Sequence, residues 1–136
     1  MSDVFTAMGS ALYSTLAAGT ALVAKLGGTA LYNTLVSQGV EPPYVVFFQS
    51  SGMDDNSSPR RARTMLWTVK AVSSTGLKQA AETDNLIDAL LHQQTLTVTG
   101  WGCYWMARAS DITYAEESGG QTYWNVGAQY RIRIAE

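Results

Sequence analysis

Few residues in this chain are able to do covalent chemistry. His92 is the only histidine and Cys103 the only cysteine. A Ser-His-Asp or Cys-His nucleophile would rest on His92 alone. The spacing puts that histidine in the last turn of a helix, where an imidazole suits the exposed carbonyls. Cys103 falls in a strand, where a small buried hydrophobe is expected, and neither residue has a zinc-like spacing. Two acid pairs occur, Asp54-Asp55 and Glu116-Glu117. Neighbouring loop residues do not aim two carboxylates at one bond, and neither pair fits a calcium loop. Gly27-Gly28 and Gly119-Gly120 are too short to cradle phosphate and read as turns. Of the four tryptophans, Trp67, Trp105 and Trp124 occupy strand interiors where the pattern predicts core. Trp101, after Gly100 at a strand start, is the one expected to be exposed. The expectation is a protein that is not an enzyme, with no catalytic residue, cofactor or metal.

The bulk numbers fit one domain spanning 1–136. Charged residues make up 15% of the chain, against a typical quarter. Low charge on so small a surface suggests cover by other subunits, though a Ser/Thr/Gln-rich monomer would look the same. The net charge of −2 argues against general nucleic-acid binding through a basic face. A single cysteine allows no internal disulfide and fits a reducing compartment. MSDVF lacks a basic n-region, so no signal peptide is expected. No apolar stretch reaches bilayer length.

The elements follow from periodicity. Residues 3–18 read as a helix, with Asp3 or Ser2 capping it and Val4, Met8, Leu12 and Thr15 or Leu16 on one face. Gly19 ends it as a left-handed residue, and Thr20 caps a short second helix, ALVAKL, closed by Gly27-Gly28. ALYNTLV reads as a short strand. YVVFFQS, 44–50, is apolar on both faces and so is a central or doubly covered strand. In 62–73, Met65, Trp67, Val69 and Ala71 share one face, the half-buried strand pattern. GLKQAAETDNLIDALLH, 76–92, is a helix with Leu77, Ala80, Ala81, Ile87, Leu90 and Leu91 inward and Lys78, Glu82, Asn85 and Asp88 outward. TLTV and GCYWMARASD are strands, YAEESGGQ a turn. In the last strand Trp124, Val126, Ala128, Tyr130, Ile132 and Ile134 alternate with Asn125, Gln129, Arg131 and Arg133. The order α-α-β-β-β-α-β-β-β gives an α+β fold: a mainly antiparallel sheet with helices on one face and an extended hairpin loop.

The chain resembles a known family. SALYSTLAAGTALVAKLGGTALYNTL, then EPPYVVFFQSSG, a polar-tipped hairpin, the helix LKQAAETDNLIDALLH and the closing YWNVGAQYRIRIAE are similar to the tail-completion, or tail-terminator, proteins of long-tailed, siphovirus-type bacteriophages. The resemblance covers nearly the whole chain and lies in element order and local pattern; none of it is a catalytic fingerprint. It implies a structural virion protein without a cofactor. Such a protein is assembled in the host cytoplasm as a ring, usually a hexamer, on the head-proximal end of the tail tube. There it stops tube polymerisation and offers a surface to the neck or head-completion protein. A neck or head-closure connector shares this architecture and remains open. A small α+β RNA-binding module is a reading from another class, opposed by the acidic charge and the core positions of most aromatics.

A ring gives the loop SSGMDDNSSPRRAR, 50–63, a use. Head-to-tail neighbours meet through two different surfaces, and a strand-stemmed hairpin reaches beyond its own domain. The expected contacts are Asp54 and Asp55 at the tip, or Arg60, Arg61 and Arg63 at the root, against a neighbouring subunit or the tube protein. Charge there sets register and partner choice more than affinity. A plain solvated loop would have the same composition. Glu116 and Glu117 are a second candidate contact, with Arg131 and Arg133 as a basic counterpart.

Overall fold

A computed structural model describes residues 3–54 and 61–136. Helix α1, Val4–Ala17, begins at Asp3, whose side chain accepts from the Phe5 N–H (3.0 Å) and the Thr6 hydroxyl (2.7 Å). Its apolar face is the expected one: Val4, Met8, Leu12 and Leu16 are buried. Gly19 differs from expectation. It is not left-handed (φ −78) but sits at the N-cap of α2, Thr20–Leu26, so Thr20 lies inside the helix and does not cap it. The close approach is to Leu90, whose terminal methyl lies 2.5 Å from where a Cβ would stand and would have to move aside for one. Gly27 closes α2 in the left-handed conformation (φ 76), where glycine escapes the Cβ clash. α1 and α2 meet at an 85° bend, and among the described residues no single helix is long and apolar enough to cross a membrane.

Five strands form one sheet: β1, Leu31–Asn33; β2, Tyr44–Asp54; β3, Ala62–Ser73; β4, Gly102–Ser118; and β5, Gln121–Ala135, in the order β1-β2-β3-β5-β4. The helix α3, Leu77–Leu91, connects β3 to β4. All pairings are antiparallel except that of β1 with β2. β1 uses only the first half of ALYNTLV, because Thr34 turns left-handed (φ 69) after closing onto the Phe47 carbonyl (2.8 Å). TLTV forms no strand. Leu96 and Val98 are nevertheless buried in the core, and Val98 makes one isolated bridge to Trp101. Hydrophobic burial, and not strand pairing, thus sets the apolar pattern of that segment. The expected YAEESGGQ turn shrinks to Gly119-Gly120 (φ 60 and 79), with ladder on both sides down to Ser118↔Gln121. Two positive-φ glycines are what a two-residue hairpin turn demands.

The core lies on one face of the sheet. Val45 and Phe47 of β2, Met65, Trp67, Val69 and Ala71 of β3, and Ala128, Tyr130, Ile132 and Ile134 of β5 pack with all three helices. The α3 stripe holds at Ala80, Ile87 and Leu91, but Leu77 is 47% exposed, at the first residue of the helix. That end is organised from β3: the buried Ser73 hydroxyl accepts from the Thr75 N–H (3.1 Å) and bonds to Gln79. Two tryptophans exchange their expected places. Trp101 is buried (8% exposed), whereas Trp105 is 41% exposed. A register shift between Cys103 and Trp105 puts Met106 on the core side and Trp105 opposite Arg133, which shares the other face. Cys103 is partly buried against the core. Gly127 is forced by packing, since a Cβ would collide with the Val69 carbonyl and with Lys70 on β3.

Candidate functional site

Among the described residues no group of three or more His, Cys, Asp or Glu is placed to hold a metal ion. His92 ends α3, and its Nδ1 accepts from the Arg108 backbone N–H (3.1 Å), so the imidazole ties the helix to β4.

The most connected polar group is one the sequence reading did not single out. Arg108 on β4 reaches under the sheet toward α3. Its Nη2 donates to Asp84 (3.0 Å), its Nε to Asp111 (2.8 Å), and its Nη1 lies 3.4 Å from Asp88. Nη2 also donates to the Gly127 carbonyl (3.3 Å), and the Tyr130 hydroxyl donates to Asp88 (2.9 Å). Asp88 therefore faces this network and not open solvent, against expectation. Burial works against the guanidinium charge, but the bonds from Asp84 and Asp111 prevail and move its pKa further up. Burial first, and then the Asp88 bond, push the Tyr130 phenol up as well. Neither group exchanges a proton near neutrality. The cluster is a clasp between α3, β4 and β5. Its sequence sign is the pair Asp84 and Asp88, four residues apart and so on one side of the helix. Asp84 falls among Ala80, Ile87 and Leu91, a buried face that an unpaired carboxylate would not tolerate.

The expected contact residues lie at the two ends of the sheet. At one end Asp54 accepts from Arg61 (Nη2, 3.0 Å) and lies 3.4 Å from Arg63 Nη1. The Arg61 bond, supported by both arginine charges, holds the Asp54 carboxyl below the usual carboxylate range. Arg63 also stacks over the Phe5 ring at 5.6 Å. The ladder runs through Asp54↔Arg63, deeper into the 50–63 stretch than expected, and Asp55 and Arg60 lie outside the described residues. At the other end Glu116 and Glu117 are exposed beyond Ala115↔Trp124, where the hairpin leaves the rest of the sheet. Asn125 donates to Glu116 (3.3 Å). Arg131 and Arg133 stand on the helix-free face of β5, level with Ala107 and Trp105, well up the strand from Glu116 and Glu117. Arg131 is exposed and Arg133 half-buried.

The sheet also has two unlike lateral edges. β4 is one of them, lined in its middle by the segment after α3, where the Gln93 N–H donates to the Met106 carbonyl (2.8 Å) and His92 accepts from the Arg108 N–H. On the other side β1 stops at Asn33, opposite Phe47, so residues 48–54 of β2 have no strand beside them among the described residues. Next to that free stretch lies an open groove of about 880 Å³ between α1 and β2. Trp67 and Gln49 are among its lining residues, and the indole N–H of the one and the side-chain oxygen of the other are buried without a hydrogen-bond partner. Large apolar side chains are exposed on both sides: Phe5 and Met53 by the β2 edge, Tyr104 and Trp105 on β4. This arrangement suits docking of other chains more than the binding of a small molecule.

Comparison with known proteins agrees. Residues 10–135 match the family described as tail completion protein gp17. The fold is similar to that of a chain from the virion of a native gene transfer agent particle, with a TM-score of 0.84, 16% identity and 100% of each chain covered. A second solved chain matches with a TM-score of 0.59 at 11% identity, over 93% of this chain and 94% of that one. At such identities the likeness is one of fold. No curated protein sequence matches this chain.

Proposed function

Since the chain belongs to the tail completion protein gp17 family of structural tail proteins, we propose that it forms a ring, a hexamer, on the head-proximal end of the tail tube. There it ends tube growth and presents a joining surface to the neck or head-completion protein. Assembly takes place in the host cytoplasm, and the ring stays in the virion. The observation that carries this reading is the pair of unlike sheet edges with hairpin tips at opposite ends. Unlike edges meet head-to-tail, the contact from which cyclic rings are built. The opposite ends then give such a ring two different axial faces, one for the tube and one for the neck. A fold like that of a chain in a gene transfer agent virion supports the same reading.

The charged residues divide between those faces. Asp54, Arg61 and Arg63 serve one face, and the proposal extends to Asp55 and Arg60; Glu116 and Glu117 serve the other, with Arg131 and Arg133 as basic groups along the sheet. Exposed pairs are worth only about 0–1 kcal/mol each, so they act through repetition around the ring. The test mixes purified protein with polymerising tube protein and measures tube length by negative-stain imaging and ring mass by light scattering. Tubes should stop growing and carry one ring at one end. A ring that binds isolated portals and ignores tubes would make the protein a head-closure connector. The double variant Asp54→Lys, Asp55→Lys should weaken capping; capping at the normal rate would remove the loop from the mechanism.

A further inference from the structure

The segment TLTV, 95–98, has the sequence of a strand, yet among the described residues it pairs only through the one bridge from Val98 to Trp101. Its side chains alternate as a strand's do: Leu96 and Val98 are buried in the core, while Thr95, Thr97 and Thr99 are exposed. Threonine and valine favour paired, pleated backbone. Here the backbone groups of Thr95, Leu96 and Thr97 have no hydrogen-bond partner among the described residues. A strand-forming segment with an empty edge is a ready template for another chain.

The segment flanks the sheet on the β4 side. The Gln93 N–H donates to the Met106 carbonyl (2.8 Å). Thr95 and Thr97 border a recess with Ala11 and Ser14 of α1 and Leu90 of α3, so the segment lies in the helix layer. At the opposite side the same layer holds the groove between α1 and the free stretch of β2. The register carries Met106 through Ile132 and Met65 to Gly52, so the segment starts level with that free stretch. From there it climbs to Gly102, level with Ala62, which is the direction in which β2 runs. Neighbours in a cyclic ring are related by rotation without axial shift. With the axis along the strands, level residues stay level, directions are kept, and the helix layers share one side of the ring wall.

We infer that residues 94–99 of one copy add as a parallel strand to residues 48–54 of β2 in the next, in the lane that β1 vacates at Asn33. This rests on the ring reading above. β1 already pairs with β2 in parallel. The Val45 N–H bonds to the Ala30 carbonyl (2.9 Å) and the Phe47 carbonyl to the Thr34 N–H (2.8 Å). Gln49, next in that alternation, turns its own N–H and C=O to the vacant side. The chemistry of the two surfaces agrees. No residue lining the groove is charged, and QQTLTVTG, 93–100, carries no charge. A charged segment would leave an uncompensated ion there. Phe5 and Tyr13 on the α1 wall, 54% and 42% exposed in the single chain, gain cover from the added strand.

The test places the photo-reactive p-benzoyl-phenylalanine in turn at the exposed positions 95, 97 and 99. Protein that light scattering shows to be ringed, with tube protein added if needed, is then irradiated. The expected product is a crosslink between copies to peptides containing residues 48–54, told from internal crosslinks by mixing isotope-labelled and unlabelled protein. In parallel, the double variant Thr97→Lys, Thr99→Lys should keep the wild-type melting temperature. It should weaken ring assembly by about tenfold or more, since lysine blocks an edge and brings charge to an uncharged groove. Rings that form normally in the lysine variant overturn this inference and leave the ring reading standing. Ringed protein that gives no crosslink between copies, or gives crosslinks only to other segments or to tube protein, does the same. Absence of any ring from the wild type, with tube protein present, overturns both.

Discussion

The two long hairpins of this sheet handle charge in opposite ways. In β2–β3 the acid and the arginines face one another across the stem, so Asp54 is engaged by Arg61 and Arg63 of its own hairpin. In β4–β5 the outer acids, Glu116 and Glu117, stand exposed, and the strong ionic contacts gather at the root, where Arg108 grips α3. The first hairpin carries its ionic contacts at its outer end; the second is an arm fixed at its base. A rigid base with an exposed tip suits contact with another protein, because ordering costs are met before binding.

The sharpest way to break this contrast is at the base of the arm. Arg108→Met leaves Asp84 buried without its counter-charge and should destabilise the fold by about 3 kcal/mol or more, read as a shift in urea midpoint. If Asp84→Asn added to that variant recovers much of the loss, the damage came from the stranded carboxylate. Gly127→Ala should come next, costing about 1–3 kcal/mol, because β5 cannot approach the β3 backbone with a methyl in between. Its amide exchange should speed up across β3 and β5 and leave α1 unchanged. The smallest effect belongs to the other hairpin. Asp54 has a depressed folded pKa, so its contribution is present above its unfolded pKa and disappears as pH falls through the folded value. Asp54→Asn should therefore differ slightly from wild type near neutrality and converge with it in acid, in urea midpoints taken across a pH series.

Much of the fold was legible because its periodicities are long. The α1 face, the alternation of β3, that of β5 from Ala128 to Ile134, and most of the α3 stripe read directly from sequence. What failed was local and has local causes. Gly19 looks like a helix stop but is a contact with Leu90, seventy-one positions away and invisible to spacing. Trp105 leaves the core because a bulge resets the alternation, and strand propensity carries no mark of bulges. Asp88 reads as outward because an acid on a helix usually faces water; its partners Arg108 and Tyr130 arrive from strands later in the chain. Of the candidate contacts, the charged hairpin residues were visible as composition. The exposed Phe5, Met53 and Tyr104 were not, since exposure of an apolar residue has no signature in sequence.

One small detail has a large consequence. Thr34 adopts a left-handed backbone and halts the first strand after three residues. Had that strand continued past Asn33, it would have covered the β2 flank from Phe48 onward; its early stop is what leaves that flank without a neighbouring strand among the described residues.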